Sequence, residues 1–146
     1  MPRPKSKPET LVVDASVAVK WFLPEPDAQP AVALLRADHR LIAPDLLWIE
    51  VASVLWKVVR RGALAADEAE RMVSDAAAFP VEIFESSTLL TDTMRIATAT
   101  DRTIYDSLYV ALAAREDAVM VTADDRLVNA LANTNWADSV QWLADA

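Results

Sequence analysis

Five short apolar runs, each separated from the next by a helical pattern, constrain this chain more than any other feature. The runs are Leu11–Val13, Leu41–Ala43, Val81–Phe84, Val119–Thr122 and Val140–Leu143. Helical periodicity is read at Ser16–Leu23, Gln29–Ala37, Asp45–Arg61, Ala66–Phe79, Ser87–Ala99, Thr103–Arg115 and Asp125–Ala132. Strands that alternate with helices are joined by crossovers, so the sheet they form is mostly parallel and covered on both faces. The expected fold class is an α/β/α sandwich, with a small sheet of about five strands flanked by about seven helices. Pro44–Asp45 and Thr103 read as helix starts, and Arg60–Arg61–Gly62 reads as a helix end.

The 146 residues suit one domain, long enough to bury about two-thirds of its unfolded surface. At the start of the chain Arg3, Lys5 and Lys7 alternate with Pro2, Pro4 and Pro8. Residues 1–9 are therefore expected to form a disordered basic tail, and residues 10–146 the folded domain. The apolar stretch behind the tail is interrupted by Asp14 and Lys20 and has no small-residue cleavage site, unlike a signal peptide. No run is long and apolar enough to span a bilayer, so a cytoplasmic protein with no membrane partner is expected.

Composition removes several chemistries. Gly62 is the only glycine, which rules out Gly-rich phosphate loops. There is no cysteine, and the one histidine, His39, lies in a polar ADHRL context that reads as surface. A catalytic site must use carboxylates, hydroxyls, Lys, Arg or backbone. The net charge of −8 argues against nucleic acid, unless some of the acids hold divalent cations and reverse the local sign.

A parallel sheet brings the C-terminal ends of its strands to one edge, where ligands of open α/β sheets bind. Asp14 follows the first strand, and Glu50 lies in the second turn of the helix after the strand near Ile42. Asp106 is in the first turn of the helix that feeds the Val119 strand, and Asp124 comes two residues after that strand. Each acid alone reads better as part of a helix cap: Asp14 for its own helix, Asp124 or its neighbour Asp125 for the helix near Arg126, and Asp106 with Thr103 as T-x-x-D. Glu50 resists that reading. It heads a polar stripe, Glu50, Ser53, Lys57 and Arg60 or Arg61, on a helix apolar on most other sides. The stripe is either a solvated face or a cation track leading away from an acidic site.

Four acids held together repel one another, and divalent cations relieve that repulsion. All-oxygen ligands point to Mg²⁺ or Mn²⁺, and the chemistry that follows is metal-assisted phosphodiester hydrolysis. Three segments now carry a resemblance: VVDASVAVKWFL, APDLLWIEVASVL and TIYDSLYVALAAREDAVMVTADDRL. They resemble the successive signature segments of PIN-domain proteins, specifically the VapC-type toxins of toxin–antitoxin pairs, and the likeness runs from about Leu11 to Leu143. The resemblance places the family's four acids on Asp14, Glu50, Asp106 and Asp124, and its small hydroxyl residues on Ser16 and Thr122. It implies a Mg²⁺-dependent endoribonuclease, with Mn²⁺ as substitute, that leaves 5′-phosphate and 3′-hydroxyl ends. It also implies a homodimer inhibited by a VapB-type antitoxin seated in an apolar groove. Trp21, Phe22, Leu23, Trp48 and Trp56 are candidates for that groove, or equally for core and dimer contacts. Lys57, Arg60 and Arg61 are the candidate RNA-binding cations.

Other enzymes place an aspartate after the first strand. Dehalogenase-type phosphatases need D-x-D, where this chain has Asp14-Ala15-Ser16. Receiver domains need an Asp after the third strand, where this chain has Val81–Phe84 and no Asp. A PIN-like module that only binds RNA or a partner, without catalysis, is the alternative that sequence leaves open.

Overall fold

The computed structural model describes residues 8–25 and 27–146. The expected basic tail falls almost wholly outside the described residues, and Glu9 already belongs to the first strand. The strands are β1 (Glu9–Val13), β2 (His39–Pro44), β3 (Val81–Phe84), β4 (Val119–Thr122) and β5 (Val140–Trp142). The helices are α1 (Ala15–Ala18), α2 (Ala28–Arg36), α3 (Leu47–Arg60), α4 (Ala66–Asp75), α5 (Leu90–Thr100), α6 (Ile104–Arg115) and α7 (Asp125–Leu131).

All four strand pairings are parallel, and the order is β3-β2-β1-β4-β5. From β1 the sheet grows one way through β2 and the other way through β4. The C-terminal ends of β1 and β4 therefore flank the topological switch point, where connections diverge and a crevice opens. The next residue after β1 is Asp14, and the loop after β4 carries Asp124.

The central strands read as continuous apolar runs because both their faces are covered. Val12, Val13, Ile42, Ala43, Met120 and Val121 are fully buried. Helix α6 is buried continuously from Ser107 to Ala113, as expected of a helix apolar around its whole circumference. It packs on β1, β2 and β4 and is covered on its outer side by α5. One helix thus fixes where Asp106, in its first turn, meets the sheet.

Local departures from the sequence reading have physical causes. Pro44 ends β2 instead of opening a helix, paired in register with Phe84 of β3. Asp45 extends that pairing, its N–H donating to Phe84 O at 2.8 Å, while its carboxylate accepts from Ser86 N at 3.2 Å. With Asp45 engaged by the sheet, α3 begins only at Leu47. The helix expected over Ser16–Leu23 is α1 followed by a 3₁₀ turn at Val19–Trp21. There Lys20 is buried, and its ammonium bonds Glu25 at 2.7 Å and Asp27 at 2.8 Å, pinning the following loop. His39 is not a surface residue at a helix end. It opens β2, half-buried, with Nδ1 3.9 Å from Glu9 Oε2. The helix end at Arg60–Arg61–Gly62 is observed, with Gly62 at φ +75° in the left-handed region that glycine adopts without a Cβ penalty.

Among the described residues no helix is long and apolar enough to cross a membrane. The fully buried Leu112 of α6 tests the central position of that helix. Leu112→Ala should lower stability by about 3 kcal/mol in urea titrations with little change in the denaturant slope. A loss below about 1 kcal/mol would contradict tight packing of α6 on the sheet.

Candidate active site

Asp14 is held on three sides. Its Oδ1 accepts from Ser16 Oγ at 2.5 Å and from Val17 N at 3.1 Å, and its Oδ2 accepts from Thr122 Oγ1 at 2.6 Å. The Val17 bond is a helix N-cap, so the capping role read from sequence is real and coexists with the site. Ser16 and Thr122 also serve β4. Ala123 N donates to Ser16 Oγ at 2.9 Å, and Asp124 N donates to Thr122 Oγ1 at 3.1 Å. Two hydroxyls therefore tie the ends of β1 and β4 together at the switch point.

The other acids arrive on helices. Asp106 lies in the first turn of α6, whose N-cap Thr103 accepts from Asp106 N at 3.1 Å. Asp124 caps α7 by accepting from Arg126 N at 3.0 Å. Glu50 projects from α3, and its Oε1 accepts from Tyr109 Oη of α6 at 2.6 Å. Asp14, Glu50, Asp106 and Asp124 line a single cavity of about 160 Å³ with Ser16, Thr122 and Tyr109. Tyr109 is a site residue that the sequence reading does not single out. The signal was its i, i+3 spacing from Asp106, which puts both side chains on one face of α6.

The electrostatics are those of crowded, poorly solvated anions. Burial is the main cause that raises the Asp14 pKa from 3.8 to about 6; the hydroxyls and Val17 N oppose it, and the Glu50 charge adds to it. Glu50 is raised by burial and by the charge of Asp106, against the Tyr109 hydrogen bond. Asp106 is raised by burial and by Asp124, offset in part by Thr103 and Arg102. Burial and the neighbouring carboxylates push the Tyr109 phenol up, so it stays protonated and donates. A divalent cation would reverse every one of these carboxylate shifts. Among the described residues no three acidic or histidine side chains stand close enough to enclose one ion. The donors that line the cavity are all oxygens, the donor type that Mg²⁺ and Mn²⁺ take, and such ions keep several waters and need only some carboxylates directly.

The candidate cations lie elsewhere. Lys57, Arg60 and Arg61 border a separate pocket of about 330 Å³ at the C-terminal end of α3. Lys57 and Arg61 follow Glu50 by two and three helical turns, so they continue its face. Arg60 instead stacks on Trp56, its guanidinium carbon 4.8 Å from the ring centroid. The exposed face of α3 is less polar than the sequence suggests, since Ile49 is 68% and Trp56 55% exposed. Trp21, Phe22 and Trp48 pack on Phe79, and Phe22 also on Trp48, with centroids 5.0 to 6.5 Å apart, and all three stay partly exposed. Trp56 borders a cleft of about 350 Å³ between α3 and α4 lined by Ala52, Leu55, Val59, Ala69 and Val73.

The PIN domain family model matches residues 11–132 of this chain, from β1 past the end of α7. The chain belongs to the PIN domain family. A curated relative, "Ribonuclease VapC3" of Pyrobaculum aerophilum, is 34% identical over 80% of this PIN domain protein and 91% of its own length. A crystal structure from the same organism superposes with TM-score 0.68 at 23% identity, covering 95% of this chain and 94% of that one. The VapBC2 complex of Rickettsia felis, solved on a DNA fragment from its promoter, contains a chain that superposes with TM-score 0.65 at 15% identity. The match covers 91% of this chain and 98% of that one. The five-stranded parallel sheet between helices is the fold of these neighbours.

The raised pKa of Asp14 fixes a pH signature for the metal-free PIN domain. Between about pH 4 and pH 6 the folded state holds a proton that the unfolded state has released, so stability falls as pH rises through that window. Glu50 and Asp106 shift in the same direction and add to the slope. In calorimetry with chelator, Asp14→Asn should flatten this slope and raise Tm by a few degrees at pH 7.5. An unchanged slope would mean that Asp14 is as well solvated folded as unfolded.

Proposed function

We propose that this PIN domain is a Mg²⁺-dependent endoribonuclease toxin that hydrolyses RNA phosphodiester bonds and is restrained by a VapB-type antitoxin. The observation that carries the reading is the convergence of four carboxylates, from four separate segments, on one cavity at the sheet's switch point. The ribonuclease name of the curated relative and the VapBC2 name of a structural neighbour support it. A cytoplasmic place of action belongs to the same reading.

In this reading Asp14, Glu50, Asp106 and Asp124 hold Mg²⁺ or Mn²⁺, directly or through water. When bound, the metal lowers the pKa of the attacking water and stabilises charge on the leaving 3′ oxygen. Ser16 and Thr122 keep both Asp14 oxygens aimed, so the carboxylate needs no reorganisation when substrate arrives. Lys57 and Arg61, with Arg60 beside them, take RNA phosphates along the Glu50 face of α3 and offset the acidic surface.

The antitoxin's apolar side would dock in the cleft between α3 and α4, where Trp56 and Val73 are exposed. A homodimer completes the proposal. Leu90 and Met94, 54% and 55% exposed one turn apart on α5, offer it an apolar face.

Asp106→Asn should reduce Mg²⁺-dependent RNA cleavage to the no-metal background while the thermal transition is kept. Cleavage at the wild-type rate would remove the nuclease mechanism and favour a module that only binds. Co-expressed with a VapB-type antitoxin from the adjacent gene, the wild type should co-purify with it and lose activity. Replacing Lys57 and Arg61 together by alanine should cut the slope of log affinity against log salt by roughly 1.4 for single-stranded RNA, about 0.7 per lost phosphate contact. An unchanged slope would assign those cations to solvent.

A further inference from the structure

We propose that Tyr109 is the positioning residue for Glu50, fixing one carboxylate oxygen so that the other is presented to the cavity. The inference rests on the metal-dependent reading above and concerns how the chain prepares its fourth acid. Glutamate is the longest of the acidic side chains and has three torsions to order before it can act. On α3 it enters the cavity from a different layer than Asp14 and Asp124, which are held close to the sheet by their caps.

Tyr109 supplies the missing restraint. It is 2% exposed within α6, the helix buried continuously from Ser107 to Ala113, and it lines the carboxylate cavity. Its Oη donates to Glu50 Oε1 at 2.6 Å, across 59 residues of sequence. Glu50 Oε2 has no hydrogen-bond partner among the described residues. A phenol that only needed an acceptor could take a backbone carbonyl or water. This one takes the carboxylate of a half-buried glutamate and links α3 to α6 beside Asp106. Hydroxyls already do the same for Asp14, so each side of the cavity has an acid aimed by a neutral donor.

The test is Mn²⁺ titration by isothermal calorimetry on the full chain, with thermal melts on the same samples. Tyr109→Phe removes only the hydroxyl and should weaken Mn²⁺ binding about tenfold, while a cooperative transition is kept. If the Tyr109→Phe protein binds Mn²⁺ as tightly as wild type, whatever its Tm, the positioning role is overturned. Substituting p-aminophenylalanine for Tyr109 retains a donor in the same place and should return the affinity close to wild type. A tenfold loss in that folded variant would overturn the proposal, and it decides the matter should the Tyr109→Phe variant fail to fold. Absence of Mn²⁺ binding in the wild type would overturn the metal-dependent reading itself, and the positioning role with it.

Discussion

Thr122 Oγ1 and Ser16 Oγ bridge the ends of β1 and β4, and the carboxylate cavity depends on that bridge. A parallel sheet delivers its strand ends to one edge, but it leaves a gap where the strand order reverses. In this chain the gap is closed by hydroxyls that serve both strands at once, donating to Asp14 and accepting from the backbone of Ala123 and Asp124. Without them Asp14 would be a poorly solvated anion with only a cap bond, which disfavours its charged form further. With them it is a poised acid at the bottom of an anionic crevice.

Capping and site roles are not alternatives here. Asp14 and Asp124 each cap a helix and line the cavity, and Thr103 caps α6 while the carboxylate of Asp106, three residues on, lines the cavity. Helix N-termini at this edge carry partial positive charge, which lowers the cost of gathering acids around them. The capping bonds expected of Asp14 and Asp124 are formed, whereas at α6 the bond is the one Thr103 accepts from Asp106 N and the Asp106 carboxylate does not cap.

The architecture was legible because its cause is periodic. Apolar runs alternate with helical patterns, and all five strands and seven helices appear where those patterns lie, with ends displaced by a few residues. The four acids were legible because topology, and then three sequence segments, put them on one edge. What was not legible came from side-chain partners distant in sequence. The Tyr109–Glu50 bond joins two helices, the aromatic cluster on Phe79 takes up Trp21 and Trp48, and Arg60 leaves the polar stripe for the face of Trp56. Asp45 reads as a helix start because nothing local reveals that Ser86 and Phe84 claim it.

The central claim is that the crowded, desolvated carboxylates exist to hold a divalent cation. The most direct measurement is the anomalous scattering of crystals grown with Mn²⁺. The account predicts a peak inside the cavity, within coordination distance of at least one carboxylate oxygen of Asp14, Asp106 or Asp124 and completed by water. Fully occupied crystals with no peak there, or with Mn²⁺ bound only on the outer surface, would contradict it.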